Sequence, residues 1–308
     1  MICDFDKEMS LIDETFIVRK IEVKQTKAGK DFWSLVLGDA SGCIPAMVWD
    51  VAGAPELCVG DVISVDGKVT EYSDELQITL QPKTICILQD ANKLDYCRKT
   101  KYKVDSMWQA TCSLLDSVEN EWCQKLLHKF LDDEEFVQKF TSSSAAVSIH
   151  HDFVSGLLEH TLFIMRMCNQ ACNVYKQLNR DLLLTAAFLH DVGKLKEISP
   201  FPENTYTPFG NLVGHVAGSA MMVDSACASI DDFPEEVRLK LVHCLLAHHG
   251  QLEWGSPKLP SIPEALVLSS LDNMDAKLKV FEEANTKKDF SSYNRILGVY
   301  PAKGDFSE

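Results

Sequence analysis

The chain has 308 residues, of which 46% are hydrophobic and 24% charged, and this suits one large soluble globular domain or two ordinary ones. Its formal net charge of −15 excludes a protein that coats nucleic acid by bulk positive charge. The acidic N-terminus lacks the pattern of a signal peptide, and no apolar run approaches the roughly 20 residues of a membrane span. We therefore expect a cytoplasmic protein with no membrane contact, whose scattered cysteines are reduced and mostly buried.

The first 90 residues alternate apolar and polar positions in five short segments separated by turn signals. In chain order these segments are ETFIVRKIEVKQ, DFWSLVLGD, GCIPAMVWD, GDVISVDGKVTEY and ELQITLQPKTICI. Five short strands of this kind predict a small closed or partly open β-barrel over residues 1–90. The long connection between the third and fourth strands lies where OB-folds often carry a helix.

Aromatic side chains on this barrel are candidates for stacking on nucleic-acid bases. They are Phe32, Trp33, Trp49 and Tyr72, of which we take Trp33 and Trp49 as candidate substrate contacts. Alternate strand positions point inward, so at least half of these rings should instead belong to the core. Because the barrel is acidic, assembly of a homo-oligomer is an alternative role for it.

Residues 91–104 interrupt the strand pattern and are predicted to be a linker. Their basic cluster of Arg98, Lys99, Lys101 and Lys103 is most simply a solvated face, with a supplementary phosphate contact as the alternative. From residue 105 to residue 308 apolar residues recur at three- and four-residue spacing, which predicts an all-α domain. The fold class is therefore a multidomain α and β protein, a small N-terminal β-barrel of OB-fold type followed by an all-α domain.

Histidines and aspartates recur at the ends of the predicted helices, beside glycines that allow close approach. The candidate metal ligands are His160, His190, Asp191, His215, His248, His249 and Asp272. They lie on five predicted helices that could converge on one cavity. Mixed imidazole and carboxylate donors suit Mn, Fe, Zn or Mg with open coordination positions better than a closed structural zinc site.

The order H…HD…H…HH…D resembles the HD-domain superfamily of metal-dependent phosphohydrolases. Longer segments, among them KAGKDFWSLVLGDASGCIPAMVWD, LLLTAAFLHDVGKLKE and HHGQLEWGSPKLP, resemble the YhaM-type 3′→5′ exoribonuclease family over nearly the whole chain. The last of these is much more specific than the His-Asp pair. The resemblance implies an OB-fold joined to an HD domain. It also implies metal-dependent release of nucleoside 5′-monophosphates from single-stranded RNA, with single-stranded DNA as an alternative substrate.

The resemblance also implies roles for the ligands. By analogy with binuclear HD enzymes, His160, His190, Asp191 and Asp272 would hold one divalent ion. Asp191 would bridge to a second ion held by His215, His248 and His249. A bridging carboxylate offsets the mutual repulsion of two cations. Manganese is the expected metal, with Fe, Zn, Ni or Mg as alternatives.

Other residues are candidates for catalysis or substrate binding. Lys194, three residues after Asp191 on the same helix face, could contact the scissile phosphate, or it could be an ordinary lysine near a helix C-terminus. His151 could act as an acid on the leaving oxygen and His150 could bind phosphate, with helix entry as the alternative for both. Asp275 could orient a ligand or bind substrate. The remaining candidate substrate contacts are Glu253, Ser256, Lys258 and Arg295.

Two further functions remain open from the sequence. HD sites also support hydrolysis of small nucleotides, in which case the barrel would be an interaction module. A nucleic-acid-binding regulator with a vestigial HD site is the third hypothesis, and the apparently complete ligand set argues against it.

Overall fold

The structure is a computed structural model that describes residues 1–73, 75–147, 153–283 and 293–302. The chain forms two compact units. One comprises Met1–Lys99 together with Pro200–Asn204, and the other comprises Thr100–Ser199 together with Thr205–Glu308. No helix among the described residues is long and apolar enough to cross a membrane.

The N-terminal unit is a closed β-barrel. Its strands are β1 (Ser10–Gln25), β2 (Asp31–Asp39), β3 (Gly42–Val48), β4 (Val62–Tyr72), β5 (Glu75–Leu80) and the short β6 (Cys86–Ile87). The sheet order is β1-β2-β3-β5-β4-β6, and β1 also pairs with β4, which closes the barrel. Among the strands that the structure describes, β3 and β5 are the only parallel pair. This strand order is that of an OB-fold, as predicted.

The long strand β1 closes the barrel because its two halves have different partners. Its first half pairs with β4 and its second half with β2, and Ile17 is paired with both Val62 and Gly38. Inward positions such as Phe16, Val18 and Leu35 are buried in one apolar core, which explains the alternation in the sequence.

The connection from β3 to β4, residues 49–61, contains turns and no helix. Buried Leu57 from this connection packs into the barrel core. The region predicted as a linker is also more ordered than the sequence suggested. Residues 91–99 belong to the barrel unit, with a 3-10 helix at Lys93–Tyr96 and a fully buried Cys97. In the basic cluster, Lys99 pairs with Asp95 at 3.0 Å.

The C-terminal unit is helical. Its helices are α1 (Val104–Asp116), α2 (Glu121–Leu131), α3 (Glu134–Ser142), α4 (Gly156–Val174), α5 (Arg180–Leu189), α6 (Lys194–Glu197), α7 (Pro208–Leu212), α8 (Gly214–Ala228), α9 (Glu235–Leu246) and α10 (Pro263–Glu283). The described part of this unit contains no β-strand, and its β-structure consists of isolated bridges such as Ile198–Tyr206 and Asn294–Val299.

Helix α5 is central to this unit. The side chain of Asn179 accepts a hydrogen bond from the Leu182 amide and so caps its N-terminus. From Leu182 to Leu189 every residue is buried, which is why the sequence is apolar around the whole helix. The polar pair His190-Asp191 follows at its C-terminal end, inside the protein, and polar groups in such a place need partners.

Candidate metal centre

Five helices bring the predicted metal ligands together in the helical unit, each at one end or on one face. His160 is one turn inside α4, His190 caps the C-terminus of α5, and Asp191 follows it. His215 lies in the first turn of α8, while Asp272 lies midway along α10. His248 and His249 come directly after α9. All seven predicted ligands are thus gathered around one point.

The ligands form two groups of three. Within each group, one nitrogen or oxygen atom of every member lies within 4.8 Å of the others. The first group is His160, His190 and Asp272, and the second is His215, His248 and His249. Each group offers three donor atoms, which leaves further coordination positions for water or substrate.

Asp191 lies between the two groups. Its Oδ2 atom is 3.5 Å from Nε2 of His160 and 3.4 Å from Nε2 of His190. Its Oδ1 atom is 3.6 Å from Nε2 of His215 and 3.7 Å from Nε2 of His248. One oxygen therefore faces each group, and this is the arrangement expected of a carboxylate that bridges two cations.

Backbone carbonyls orient three of the histidines. Nδ1 of His190 and of His248 each donate to the carbonyl three residues earlier, at 2.8 Å and 2.6 Å. Nδ1 of His249 donates to the Trp254 carbonyl at 2.8 Å. Since a carbonyl only accepts, Nδ1 must carry the hydrogen, and Nε2 is left to present a lone pair to the centre.

Carboxylates orient the other two histidines. Nδ1 of His160 lies 2.8 Å from the Asp275 carboxylate, and Nδ1 of His215 lies 2.8 Å from the Glu197 carboxylate. This contact fits the first of the two roles considered for Asp275, the orientation of a ligand. Glu197 was not predicted; its position three residues after Lys194 in KLKE was the only signal in the sequence.

The site as it stands has an excess of acceptors at its centre. Nε2 of His160 and of His190 are 3.1 Å apart, and so are Nε2 of His215 and of His249. The buried atoms Asp191 Oδ1 and His248 Nε2 have no hydrogen-bond partner among the described residues. Facing lone pairs and unpaired buried acceptors are unfavourable unless a cation or proton lies between them. The donor set therefore fits divalent metal ions.

Charges in the site support an ionised Asp191. Burial acts to raise the pKa of this carboxyl, but the Lys194 ammonium and the His190 imidazole hold it well below its ordinary value. Nζ of Lys194 lies 2.6 Å from Asp191 Oδ2. Burial likewise acts to lower the pKa of Lys194, and the Asp191 charge raises it, so the lysine remains cationic beside the centre.

A cavity of about 280 Å³ adjoins the centre. It is lined by Ala145, His160, Asp191, Lys194, His249, Trp254, Asp272, Asn273 and Ala276. Lys194 is thus placed to contact a bound group as well as Asp191. Trp254 and Asn273 were not predicted, although Trp254 lies within the specific HHGQLEWGSPKLP segment.

Other predicted substrate contacts do not line this cavity. Ser256 is buried, and its hydroxyl donates to the Leu246 carbonyl at 3.2 Å. Glu253, Lys258 and Arg295 are exposed and are absent from the cavity lining. The predicted residues His150 and His151 lie outside the described residues.

The aromatic residues of the barrel divide between surface and core. Trp33 is partly buried and packs against the apolar core, which is the alternative considered for these aromatic residues. Trp49 is half exposed and stacks on Phe32, with ring centroids 4.9 Å apart. The stacked pair lies beside Lys24, the β1 partner of Phe32. Tyr72 is also exposed.

Comparisons with known proteins agree with this geometry. The HD domain family matches residues 157–277. The chain is 34% identical to a protein of Listeria innocua named 3′-5′ exoribonuclease YhaM, over 96% of this chain and 95% of that protein. It is 30% identical to a Geobacillus protein of the same name, over 90% of this chain and 85% of that protein.

Two solved OB domains are similar to the barrel at low TM-scores. One is an OB domain from Methanosarcina mazei, with 20% identity, a TM-score of 0.26, and coverage of 30% of this chain and 84% of that one. The other is the second OB-fold domain of replication protein A from Methanococcus maripaludis, with 22% identity, a TM-score of 0.21, and coverage of 28% and 87%. The fold assignment of the barrel rests on its own strand order.

Proposed function

The chain belongs to the YhaM family of 3′-5′ exoribonucleases, and we propose that it removes nucleoside 5′-monophosphates one at a time from the 3′ end of single-stranded RNA. The observation that carries the proposal is the position of Asp191, with one oxygen toward each of two ligand groups. A second observation is the adjoining cavity, which the cationic Lys194 lines together with the ligands. A phosphodiester bound there would lie beside both the ligands and a fixed positive charge.

We propose two divalent ions per site, one in each ligand group, with Asp191 shared between them. Bound divalent ions would supply activation of water and stabilisation of the charge that develops on the phosphate and the leaving oxygen. The mixed nitrogen and oxygen donors support manganese, and they also suit Fe, Zn, Ni or Mg. The five fixed imidazoles and the ionised Asp191 are the contribution of the chain.

Lys194 has two roles in this proposal. It neutralises part of the Asp191 charge and presents an ammonium group to the cavity. An ammonium held in a mostly water-excluded site stabilises additional negative charge on a phosphate more strongly than it would in water. Because its side chain is only 13% exposed, the charge is fixed in place before substrate binds.

The size of the cavity supports attack on a chain end. At about 280 Å³ it is near the lower end of ligand pockets, which span roughly 300–1,000 Å³. A pocket of this size receives one nucleotide, so a base-paired duplex would have to be opened first. A cavity of this size would also accept a free nucleotide, so hydrolysis of a small nucleotide is the second candidate function.

The barrel is proposed to hold the upstream part of the strand. The stacked pair Phe32 and Trp49 is available for base stacking. Lys24 beside it is paired with Glu22 at 2.9 Å, and its side chain is half exposed, so the ammonium group could also contact a phosphate. Single-stranded DNA would satisfy the same contacts. Assembly of a homo-oligomer is the alternative role for this face.

A cytoplasmic location is part of the proposal. Its support is that Cys123, Cys168 and Cys227 are buried as thiols, and that burial raises the pKa of each above its ordinary value. Buried thiols of this kind are typical of proteins from reducing compartments.

The proposal is tested by digestion of a 5′-labelled single-stranded RNA with Mn²⁺, Mg²⁺ or a chelator. We expect a metal-dependent ladder that shortens from the 3′ end and is absent when the 3′ end is blocked. Asp191→Ala should abolish the ladder, whereas the control Asp132→Ala, at an exposed site in the same unit, should not. Undiminished cleavage by Asp191→Ala would overturn the mechanism. Activity confined to mononucleotides or cyclic dinucleotides would favour the small-nucleotide hydrolase.

A further inference from the structure

The residues that line the cavity form two chemically different sets. Five of its residues are metal-ligand candidates or the cationic Lys194, and these suit a phosphate. They are His160, Asp191, Lys194, His249 and Asp272. The other residues are an aromatic, an amide and two alanines, and none of these carries a charge. They are Trp254, Asn273, Ala145 and Ala276. The second set is suited to the base and sugar of a nucleotide.

The backbone of Trp254 is held rigidly beside the metal ligands. Its carbonyl accepts the hydrogen bond from His249 Nδ1 at 2.8 Å, and its amide donates to the Gln251 carbonyl at 3.2 Å. Gly250 and Gly255 enclose the turn with φ values of +77° and +87°, a conformation that favours glycine. The indole is therefore attached to a backbone that is itself bonded to a candidate ligand.

The Trp254 side chain is 51% exposed although it lines a cavity in the helical unit. The ammonium group of Lys277 lies 5.6 Å from the ring centroid, within range of a cation–π contact. Lys277 is one helical turn beyond Asn273, so the two lie on the same face of α10. An exposed indole with a cation beside it is a typical platform for stacking a nucleic-acid base.

Small side chains leave space in front of this platform. Ala276 is one turn beyond Asp272 on α10, and Ala145 comes from the segment after α3. A base lying on the indole would therefore meet little steric resistance from either residue. Asn273, next in sequence to Asp272, borders the same space and offers both a hydrogen-bond donor and an acceptor to a ribose.

We propose that Trp254 binds the base of the 3′-terminal nucleotide by stacking, and so positions the scissile phosphate against the ligand groups. The inference rests on the proposed exoribonuclease function. Because stacking is available to all four bases, Trp254 would provide affinity with little sequence preference. A strand that lacks its terminal base would lose this stacking contact and would bind more weakly.

The test is a double-mutant cycle between the protein and the RNA. Single-stranded RNAs with a normal or an abasic 3′-terminal nucleotide are digested by the wild type, Trp254→Ala and Trp254→Phe. For the wild type, we expect loss of the terminal base to lower kcat/KM about tenfold or more, mainly through KM. Trp254→Ala should show a similar loss on normal RNA and almost no further loss on abasic RNA. Trp254→Phe should restore most of the discrimination.

If Trp254→Ala lowers kcat/KM by the same factor on normal and on abasic RNA, the inference is overturned. That result would mean that Trp254 acts only through His249. Metal content and thermal unfolding of each variant are measured alongside, to detect displacement of His249 or misfolding. Leu252→Ala is the matched control, since Leu252 is exposed in the same turn but does not line the cavity. It should discriminate between the two RNAs as the wild type does.

The experiment separates this inference from the proposed function. If the wild type degrades normal RNA and shows no discrimination against the abasic end, the stacking inference fails and the exoribonuclease proposal stands. If the wild type degrades no RNA with any divalent metal, the proposed function fails, and the stacking inference fails with it.

Discussion

Glu197 binds His215 through both of its carboxylate oxygens. Oε2 lies 2.8 Å from Nδ1 of the imidazole, and Oε1 accepts the His215 backbone amide at 3.1 Å. The side chain and the backbone of one candidate ligand are thus held by a single carboxylate. Because Glu197 lies at the end of α6 and His215 at the start of α8, this contact also fixes the position of two helices relative to each other.

Replacement of Glu197 should therefore weaken the His215 group selectively. We expect Glu197→Ala to reduce metal affinity by about 10- to 100-fold, the usual effect of losing a carboxylate behind a metal-bound histidine. The affinity is measured by competition with a coloured chelator. Glu236→Gln, at an exposed site on α9, is the control. Unchanged affinity in Glu197→Ala would show that the carboxylate does not support a metal ligand.

Loss of the Lys194 ammonium should slow catalysis more than it weakens metal binding. For Lys194→Met we expect kcat to fall about 10²- to 10³-fold, since one fixed group that stabilises developing charge is removed. Lys196→Met serves as control because Lys196 is on the same short helix but does not line the cavity. Steady-state kinetics with saturating Mn²⁺ and a metal count for each variant provide the readout. A Lys194→Met enzyme with normal kcat would contradict the phosphate-contact role.

A side chain at Gly193 should disturb the packing of α8 against the His-Asp segment. A Cβ atom there would lie 2.3 Å from the His215 carbonyl oxygen and 2.6 Å from the Ser219 amide nitrogen, so the backbone would have to move. We expect Gly193→Ala to lower the free energy of unfolding by about 1–3 kcal/mol, a typical cost of overpacking. Urea unfolding measures it.

Gly42→Ala is the matched control for this substitution, because a Cβ at Gly42 has no heavy atom within 4 Å. Its effect should remain within about 0.5 kcal/mol, as for other surface substitutions. If both substitutions lower the free energy of unfolding by the same amount, the packing explanation is wrong.

The two neighbouring aromatics of β2 should behave differently when replaced. Phe32→Ala should lower affinity for long single-stranded RNA by about 1–3 kcal/mol per lost stacked base and leave hydrolysis of a dinucleotide unchanged. Trp33→Ala should instead lower the free energy of unfolding of the barrel by about 1–3 kcal/mol, because Trp33 is partly buried against the apolar core. Fluorescence anisotropy with a labelled RNA and thermal unfolding separate the two effects. The reverse pattern would contradict the proposed face.

The sequence was sufficient to predict the barrel, the helical unit and the seven candidate ligands. The alternation of apolar and polar residues predicted the barrel strands, and histidines at the ends of apolar helices indicated the ligands. The direction of Phe32 and Trp33 could not be predicted as securely. Two adjacent aromatics satisfy either register of the strand, and only pairing with β3 decides which one faces the core.

Glu197 and Trp254 were missed for a related reason. Each supports a histidine through a hydrogen bond whose partners are brought together by turns between helices. No periodicity in the sequence marks such a bond. Residues 91–99 were predicted as part of a linker because they interrupt the strand pattern, although the burial of Cys97 places them with the barrel.

The central claim, that Asp191 is shared by two cation sites, is tested most directly by anomalous scattering from crystals grown with Mn²⁺. We expect two manganese peaks, one bounded by His160, His190 and Asp272 and the other by His215, His248 and His249, with one oxygen of Asp191 coordinating each ion. A single peak in saturating Mn²⁺, or two peaks that leave Asp191 without contact to either ion, would contradict the claim.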